Sequence, residues 1–463
     1  MNDDSTTVAL ADSLRRLADR LSPGDRLPSS RDLIAEHQVS PVTVARAIAR
    51  LVAEGVVVTR TGSGTFVAPR ARQGSAIADT AWQTVALADR FVGGDQITAA
   101  LGPAPEGTIL LDGGYLHRSL QPTGLLGSAL ARAARRIDVW DRAPVAGLEA
   151  LRAMFARSVG SGVGAQDVLI TSGGQSALSL AFRALAAPGG PILMESPTYP
   201  VAVEAARAAG LRPVPVPMDD DGIRPDLLAE AFAMTGARVL YCQPTFHNPT
   251  GTVLTPERRR QVVAIARASG AFLVEDDFAR LLGHGGPVPP PLARDDRDGT
   301  VVSLTSLTKP AAPSLRVGAL VARGPVMERL RALRRLDDFF VARPMQEAAL
   351  EILGSPAWDR HLRTLSTALR ERCALAAAAV AIARPDWTVT RVPAGGLHLW
   401  IRLAPGEDDL AVVRGARDRG VAVSPGRGYF AAEAPAAYVR VGFAAAAHHA
   451  ELSEGIRRLT ASD

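Results

Sequence analysis

Apolar residues at the start of the chain follow the spacing of helix faces and then that of a hairpin. Leu10, Leu14, Leu17 and Leu21 mark one side of a helix over 9–21, and Ser22-Pro23-Gly24 breaks it. Ser29 or Ser30 predicts the cap of a helix over 31–37. Ser40, with Pro41 at the first helical position, predicts another over 41–54. Two short runs, 56–59 and 64–67, flank Arg60-Thr61-Gly62-Ser63 and predict a pair of strands. Residues 69–78, made of Arg, Ala, Gln, Gly, Ser and Pro-flanked sequence, predict a linker. A short helix near 82–90 and Gly- and Pro-rich sequence lead on to about 107.

From about residue 110 the pattern changes. Short apolar runs at 168–171, 191–195, 239–242, 272–275, 301–304 and 318–322 alternate with helical patterns. Such alternation predicts an α/β domain, a mainly parallel sheet between layers of helices. Residues 325–372 read as almost wholly helical, and the last ninety as a smaller α+β lobe. A chain of 463 residues exceeds what one hydrophobic core serves. The expected division is 1–68, a linker over 69–107, and 108–463. No internal repeat is present.

Composition narrows the setting. Hydrophobic residues make up 47% and charged residues 21%, ordinary for a globular protein. The acidic start Met-Asn-Asp-Asp and the lack of a long apolar run predict a cytoplasmic address and no membrane partner. Cys242 and Cys373 form neither a disulfide framework nor a metal motif, so no metal is expected. The net charge of +5 is modest, but its make-up is not: 51 of the 52 basic residues are arginine, and Lys309 is the sole lysine. An arginine replaces a lysine as a point charge, yet its guanidinium stays protonated and does not attack a carbonyl as an amine does. A lysine kept at one place therefore points to amine chemistry there.

The N-terminal pattern of helix, turn, helix and hairpin is the plan of a winged helix-turn-helix, whose second helix enters the major groove. Arg26-Leu27-Pro28-Ser29-Ser30-Arg31-Asp32-Leu33, Val39-Ser40-Pro41-Val42-Thr43-Val44 and Thr61-Gly62-Ser63-Gly64-Thr65-Phe66-Val67 closely resemble the GntR family of bacterial regulators. Residues 26–70 carry six Arg against Asp32, Glu36 and Glu54, a surplus suited to phosphate. The resemblance implies double-stranded operator DNA as partner. By it, Arg31 anchors the backbone, Ser40 lies at the recognition-helix start, Thr43 and Arg46 face the groove, and Gly64 lets the wing approach closely. Pro41 stands where many members have arginine, so one expected contact is absent.

Pyridoxal phosphate asks a protein for an amine, a carboxylate at the ring nitrogen, a phosphate cradle and a ring platform. Lys309 ends Ser303-Leu304-Thr305-Ser306-Leu307-Thr308-Lys309, directly after a strand and seven residues before Arg316. Thr171-Ser172-Gly173-Gly174-Gln175-Ser176 is a strand end, a glycine turn and a helix start, a form that aims N–H groups at an anion. Another strand ends in Glu275-Asp276-Asp277, where a carboxylate is well placed for a ligand; Asp277 itself reads as a helix-capping acid. His247-Asn248-Pro249-Thr250-Gly251 follows a further strand.

In order and spacing these motifs resemble the fold-type I aminotransferases over about 108–460. Joined to a GntR-like domain, the chain resembles the MocR group of regulators over essentially its whole length. The resemblance implies that Lys309 forms the Schiff base with pyridoxal 5'-phosphate and that Asp276 pairs with the ring nitrogen. Asn248 would bond the ring oxygen, Tyr199 would stack on the ring, and Gly174, Gln175, Ser306 and Arg316 would hold the phosphate. Arg440, in Tyr438-Val439-Arg440-Val441-Gly442, matches an arginine that clamps an effector carboxylate. Two positions depart from the pattern. Phe278 stands where members commonly have a tyrosine bonding the ring oxygen, and Arg142 where aminotransferases often present a tyrosine to the partner subunit's phosphate. Phe278 removes a donor and speaks against efficient transamination. The expected function is a homodimeric transcription regulator that senses pyridoxal phosphate or its adduct with a small amine or amino acid. A working aminotransferase with a regulatory DNA-binding domain is the alternative.

Overall fold

The structure, a computed structural model, describes residues 3–60, 64–68, 81–86, 105–160 and 162–461. The chain falls into two compact units, Met1–Asp89 and Arg90–Asp463, a division that lies within the predicted linker. Most of that linker, and the hairpin tip Thr61-Gly62-Ser63, lie outside the described residues.

The first unit contains α1 (Asp3–Arg20), α2 (Ser30–His37), α3 (Pro41–Ala53) and an antiparallel hairpin of β1 (Val57–Arg60) and β2 (Gly64–Val67). Helix α1 starts at Asp3, before the predicted residue 9, and the pattern misses its first turn because that turn carries no apolar stripe. Ser29 and Asp32 close a capping box on α2, with Asp32 N–H donating to Ser29 Oγ at 3.3 Å and Ser29 N–H to Asp32 Oδ2 at 3.0 Å. Ser40 caps α3, its Oγ accepting from Thr43 N–H at 3.1 Å. Leu10, Leu14, Leu33, Val44, Ala47, Leu51, Val57 and Val67 make the core. A separate short helix spans Ala81–Ala86.

The second unit is built on an eight-stranded sheet. Its strands are β4 (Val168–Thr171), β5 (Pro191–Ser196), β6 (Arg212–Asp219), β7 (Gly222–Ile223), β8 (Val239–Cys242), β9 (Phe272–Asp276), β10 (Val301–Ser306) and β11 (Gly318–Val321), after a short β3 (Ile109–Leu110) outside it. The order is β4-β11-β10-β9-β8-β5-β6-β7, and all but β7 and β11 run in one direction. The sheet is thus mixed rather than wholly parallel, since β11 lies antiparallel to both neighbours. Along β8, Val239 and Tyr241 enter one core while Leu240 and Cys242 enter the other, the period-two signature of a sheet covered on both faces.

The stretch predicted as one helical region resolves into Pro325–Asp337, Arg343–Leu353 and Pro356–Ala383. Apolar periodicity alone does not register the breaks, which fall at 338–342 and 354–355. The smaller lobe is an antiparallel sheet in the order β12 (Thr388–Val389), β13 (His398–Arg402), β16 (Tyr438–Gly442), β15 (Ser424–Pro425). A short β14 (Val421–Ala422) pairs in parallel with β3, so residues just after the linker are woven into this lobe. Among the described residues no helix is long and apolar enough to cross a membrane.

Leu33 is 1% exposed at the centre of the first core. Leu33→Ala is expected to cost about 2–5 kcal/mol there. Hydrogen exchange should show protection lost in α1–α3 while β8–β10 keep theirs.

Candidate functional site

The carboxyl ends of β4, β5, β8, β9 and β10 lie along one edge of the large sheet, and each delivers one of the residues singled out above. This is the edge at which open α/β sheets take ligands. Asp276 ends β9 and is 5% exposed. Its Oδ2 accepts from Tyr241 Oη at 2.7 Å and from Gln243 Nε2 at 2.9 Å, while its Oδ1 is buried without a partner among the described residues. Burial pushes this carboxyl up from the usual range; the bonds from Gln243 and Tyr241, and the nearby Lys309 charge, work against that. An unpaired carboxylate oxygen held in this way suits a ring N–H.

Lys309 follows β10. Its Nζ donates to Gly114 O at 2.7 Å and lies 3.7 Å from the centre of the Tyr115 ring. Loss of hydration, with Arg440 and Arg316 adding repulsion and Asp276 opposing, brings its ammonium down to about 7. The amine is therefore available uncharged near neutrality, as a nucleophile must be.

The candidate phosphate cradle is crowded where glycine is needed. Gly173 has φ +86, and a Cβ there would lie 2.8 Å from Arg316 Nη2 and 3.1 Å from Thr308 Oγ1. Ser306 Oγ and Thr308 Oγ1 are 2.6 Å apart, and Arg316 Nη2 donates to Ser172 O at 2.6 Å. The glycine that matters sterically is Gly173. A Cβ on Gly174 would meet only ordinary contacts at 3.7 Å, and Gln175 is exposed in the first turn of Gly174–Leu185. The helix start, two hydroxyls and one guanidinium fit a dianion.

Asn248 is buried, and its N–H donates to Gln243 Oε1 at 3.0 Å. Its Oδ1 accepts from Arg440 Nη1 at 3.2 Å, which leaves its amide NH2 as the donor for a ring oxygen. Arg440 is 6% exposed. It also bonds Asp112 O and, at 3.4 Å, Ser424 Oγ, and lies over the Tyr429 ring at 5.2 Å. Its Nε has no partner among the described residues. A strand-end surface arginine does not look like this. Tyr199 precedes the helix Pro200–Ala208 and is partly buried; loss of hydration pushes its phenol up, so it stays neutral.

In the first unit Arg31 and Arg46 are exposed, and Ser40 stands at the start of α3. Thr43 corrects the expectation placed on it. It is 3% exposed with its Oγ1 2.8 Å from Ser40 Oγ, turned into the cap rather than outward, because a helix places the third residue after the cap against the capping side chain. The outward positions of α3 are Pro41, Val42, Ala45, Arg46, Ala49 and Arg50. Gly64 has φ +116, and a Cβ there would come within 2.8 Å of Arg26 Nε, so this glycine makes room for an arginine of the wing base.

Residues 143–459 match the family model for aminotransferase class I and II, and residues 7–67 that for bacterial regulatory proteins of the gntR family. The chain belongs to the class I and II aminotransferase family and carries a GntR domain before it. An uncharacterized HTH-type transcriptional regulator of Bacillus subtilis, YdfD, is 26% identical over 442 residues, 94% of this chain and 91% of its own. A 2-aminoadipate transaminase of Thermus thermophilus is 30% identical over 319 residues, 68% of this chain and 79% of its own. Among solved structures, α-aminoadipate aminotransferase from Thermus thermophilus, complexed with N-(5'-phosphopyridoxyl)-L-leucine, aligns with a TM-score of 0.75 at 28% identity, covering 82% of this chain and 97% of that one.

Several residues of the aminotransferase domain were not singled out from sequence. Gln243 and Tyr241 anchor Asp276; Thr308 closes the cradle; Gly114, Tyr115 and His398 surround Lys309. Gln243 follows β8 directly, and that position was the available signal. Asp277 is not a helix cap: its carboxylate takes Arg280 Nε. The capping carboxylate is Glu275, which accepts from Leu292 N–H at 2.8 Å and is pushed up to about 7 by burial. Phe278 packs against the core of the smaller lobe, and Arg142 is exposed.

Because the Lys309 ammonium is lowered, its amine should label with an acylating reagent at a rate rising through a midpoint near pH 7 in cofactor-free protein. Peptide mapping across about pH 5 to pH 10 checks this, an ordinary lysine giving a midpoint above about 10. Gly173→Ala should weaken pyridoxal phosphate binding by about tenfold or more while affecting pyridoxal less, since the added Cβ crowds the phosphate donors.

Proposed function

We propose that this chain is a DNA-binding transcription regulator whose aminotransferase domain holds pyridoxal phosphate on Lys309 and reads the presence of an amine or amino acid. The observation that carries this reading is the sole lysine of the chain, set among an unpartnered Asp276 oxygen, the Gly173–Arg316 cradle and the buried Arg440, behind a GntR domain.

Bound there, the cofactor supplies an aldehyde that condenses with amines and a ring that spreads charge. The chain's own residues do the rest. Lys309 offers an uncharged amine, Asp276 Oδ1 accepts the ring N–H, and the Asn248 amide donates to the ring oxygen. Tyr199 gives the ring an apolar face, and Ser306, Thr308, Arg316 and the first turn of Gly174–Leu185 hold the phosphate. Arg440 takes a carboxylate of the effector. On the DNA side, Arg31 and Arg46 with the start of α3 contact operator DNA, and two copies of the chain read a repeated site. An effector acts by favouring one of two arrangements of the regulator over the other.

The presence together of Lys309, Asp276 and Arg440 also favours a second reading, an active transaminase under the control of its GntR domain. Successive half-reactions with an amino acid and a keto acid separate the two.

Borohydride treatment of the cofactor-loaded protein should fix a pyridoxyl group on Lys309 and nowhere else. Lys309→Ala should lose that label yet keep basal operator binding; an unlabelled Lys309 in protein that contains the cofactor overturns the assignment. Operator affinity should fall steeply with salt, as counterion release from phosphate requires. Arg31→Ala should weaken specific and random DNA alike, whereas Arg46→Ala should reduce discrimination between them. Gel-shift titrations at two salt concentrations measure both.

A further inference from the structure

His398 was not marked by any motif, and no step above uses it. It lies in β13 opposite Gly442 of β16, two residues before Trp400, which stands opposite Arg440. Residues opposite in an antiparallel pair, and those two apart on one strand, share a face, so His398 and Arg440 project from the same side of this sheet. Gly442 is small for a reason: a Cβ there would lie 2.6 Å from Gly113 O, and its N–H donates to Leu111 O at 2.6 Å. The segment 111–114 therefore crosses this face closely and brings Gly114 over it. A single point above Gly114 is 3.5 Å from both His398 Nε2 and Lys309 Nζ.

The imidazole is 7% exposed, and its Nε2 has no hydrogen-bond partner among the described residues. Buried polar atoms are almost always paired, and an unpaired one beside the reactive amine asks for a partner from a ligand. Burial, with Arg440 and Lys309 nearby, drives the ring well below the usual histidine range, so it meets a ligand uncharged. An uncharged ring discriminates by hydrogen bonding rather than by charge.

We propose that His398 is a specificity-determining residue of the effector site, selecting amino acids that carry a hydrogen-bonding side-chain group beside the carboxylate taken by Arg440. This rests on the proposed cofactor and effector reading. A site built to hydrogen-bond a ligand group rejects the analogue that lacks it, because its own buried atom is then left unpaired.

The test is a visible-absorbance titration of the cofactor-loaded full chain with paired amino acids of similar length, L-asparagine against L-norvaline and L-glutamine against L-norleucine. In the wild type, at least one polar member should bind about tenfold or more tighter than its apolar counterpart. His398→Phe should bring that ratio towards one, and His398→Gln, which keeps a donor and an acceptor, should retain part of it. The ratio is insensitive to a general loss of loading, so a merely structural role would not move it. A wild-type ratio near one, or a ratio unchanged in His398→Phe, overturns the assignment and leaves the cofactor reading intact. A wild type that takes up no pyridoxal phosphate overturns the cofactor reading, and this assignment with it.

Discussion

A carboxylate buried at a sheet edge has to be given hydrogen-bond donors, and Asp276 receives two on one oxygen, from Tyr241 and Gln243. The orientation of Gln243 is fixed by its other contacts. Its Oε1 takes Asn248 N–H, so its amide NH2 must face Asp276, and its own N–H is held by Glu195 at 2.7 Å. One side chain thus sets which oxygen of Asp276 stays free and where the loop carrying Asn248 lies. Asn248 in turn receives Arg440 from β16, so the same network ties the smaller lobe to the edge of the large sheet. Remove this arrangement and Asp276, Asn248 and Arg440 lose their common frame.

Charge at the site follows from that frame. Arg440 and Arg316 both repel the Lys309 ammonium, while Asp276 alone offsets them and is itself pushed up by burial. Positive groups therefore outnumber negative ones around the amine, which favours its uncharged form and an anionic ligand. Arg316 is exposed and Arg440 buried, and a guanidinium keeps its charge in both settings, whereas the one lysine carries an amine able to give its proton up.

Much of this was legible in the sequence, and the failures have physical causes. Apolar alternation located β4, β5 and β8 to β11; the residues at and after their ends singled out Lys309, Asp276 and Asn248 as candidates, whereas Tyr199 came only from the family resemblance. The antiparallel placement of β11 was not legible, because direction is set by partners rather than by the strand's own pattern. Thr43 was misplaced because a cap residue and a groove residue share one motif, and only packing decides which way the side chain turns. Gly173 and Gly174 are adjacent and chemically alike; only the positive φ of the first, beside Arg316, tells them apart. His398, Tyr115 and Gly114 come from distant segments that the smaller lobe brings to Lys309, a juxtaposition no local spacing records.

The contacts that close the site also bear on how a ligand could be read out. Lys309 is bonded to Gly114 O, Arg440 to Asp112 O, and Gly442 N–H to Leu111 O, so three anchors hold the one segment 111–114. That segment directly follows β3 in the second unit. In the proposed reading the resident cofactor on Lys309 would take the donor from Gly114 O, and an effector amine that displaced Lys309 would return it. An effector carboxylate on Arg440 would compete with Asp112 O for the same guanidinium. Both exchanges would act on the one segment 111–114. A ligand shifts a conformational equilibrium only by as much as its affinity differs between the two states. In the proposed reading these backbone bonds are a source of that difference, since the unliganded chain keeps them and a liganded one would have to replace them.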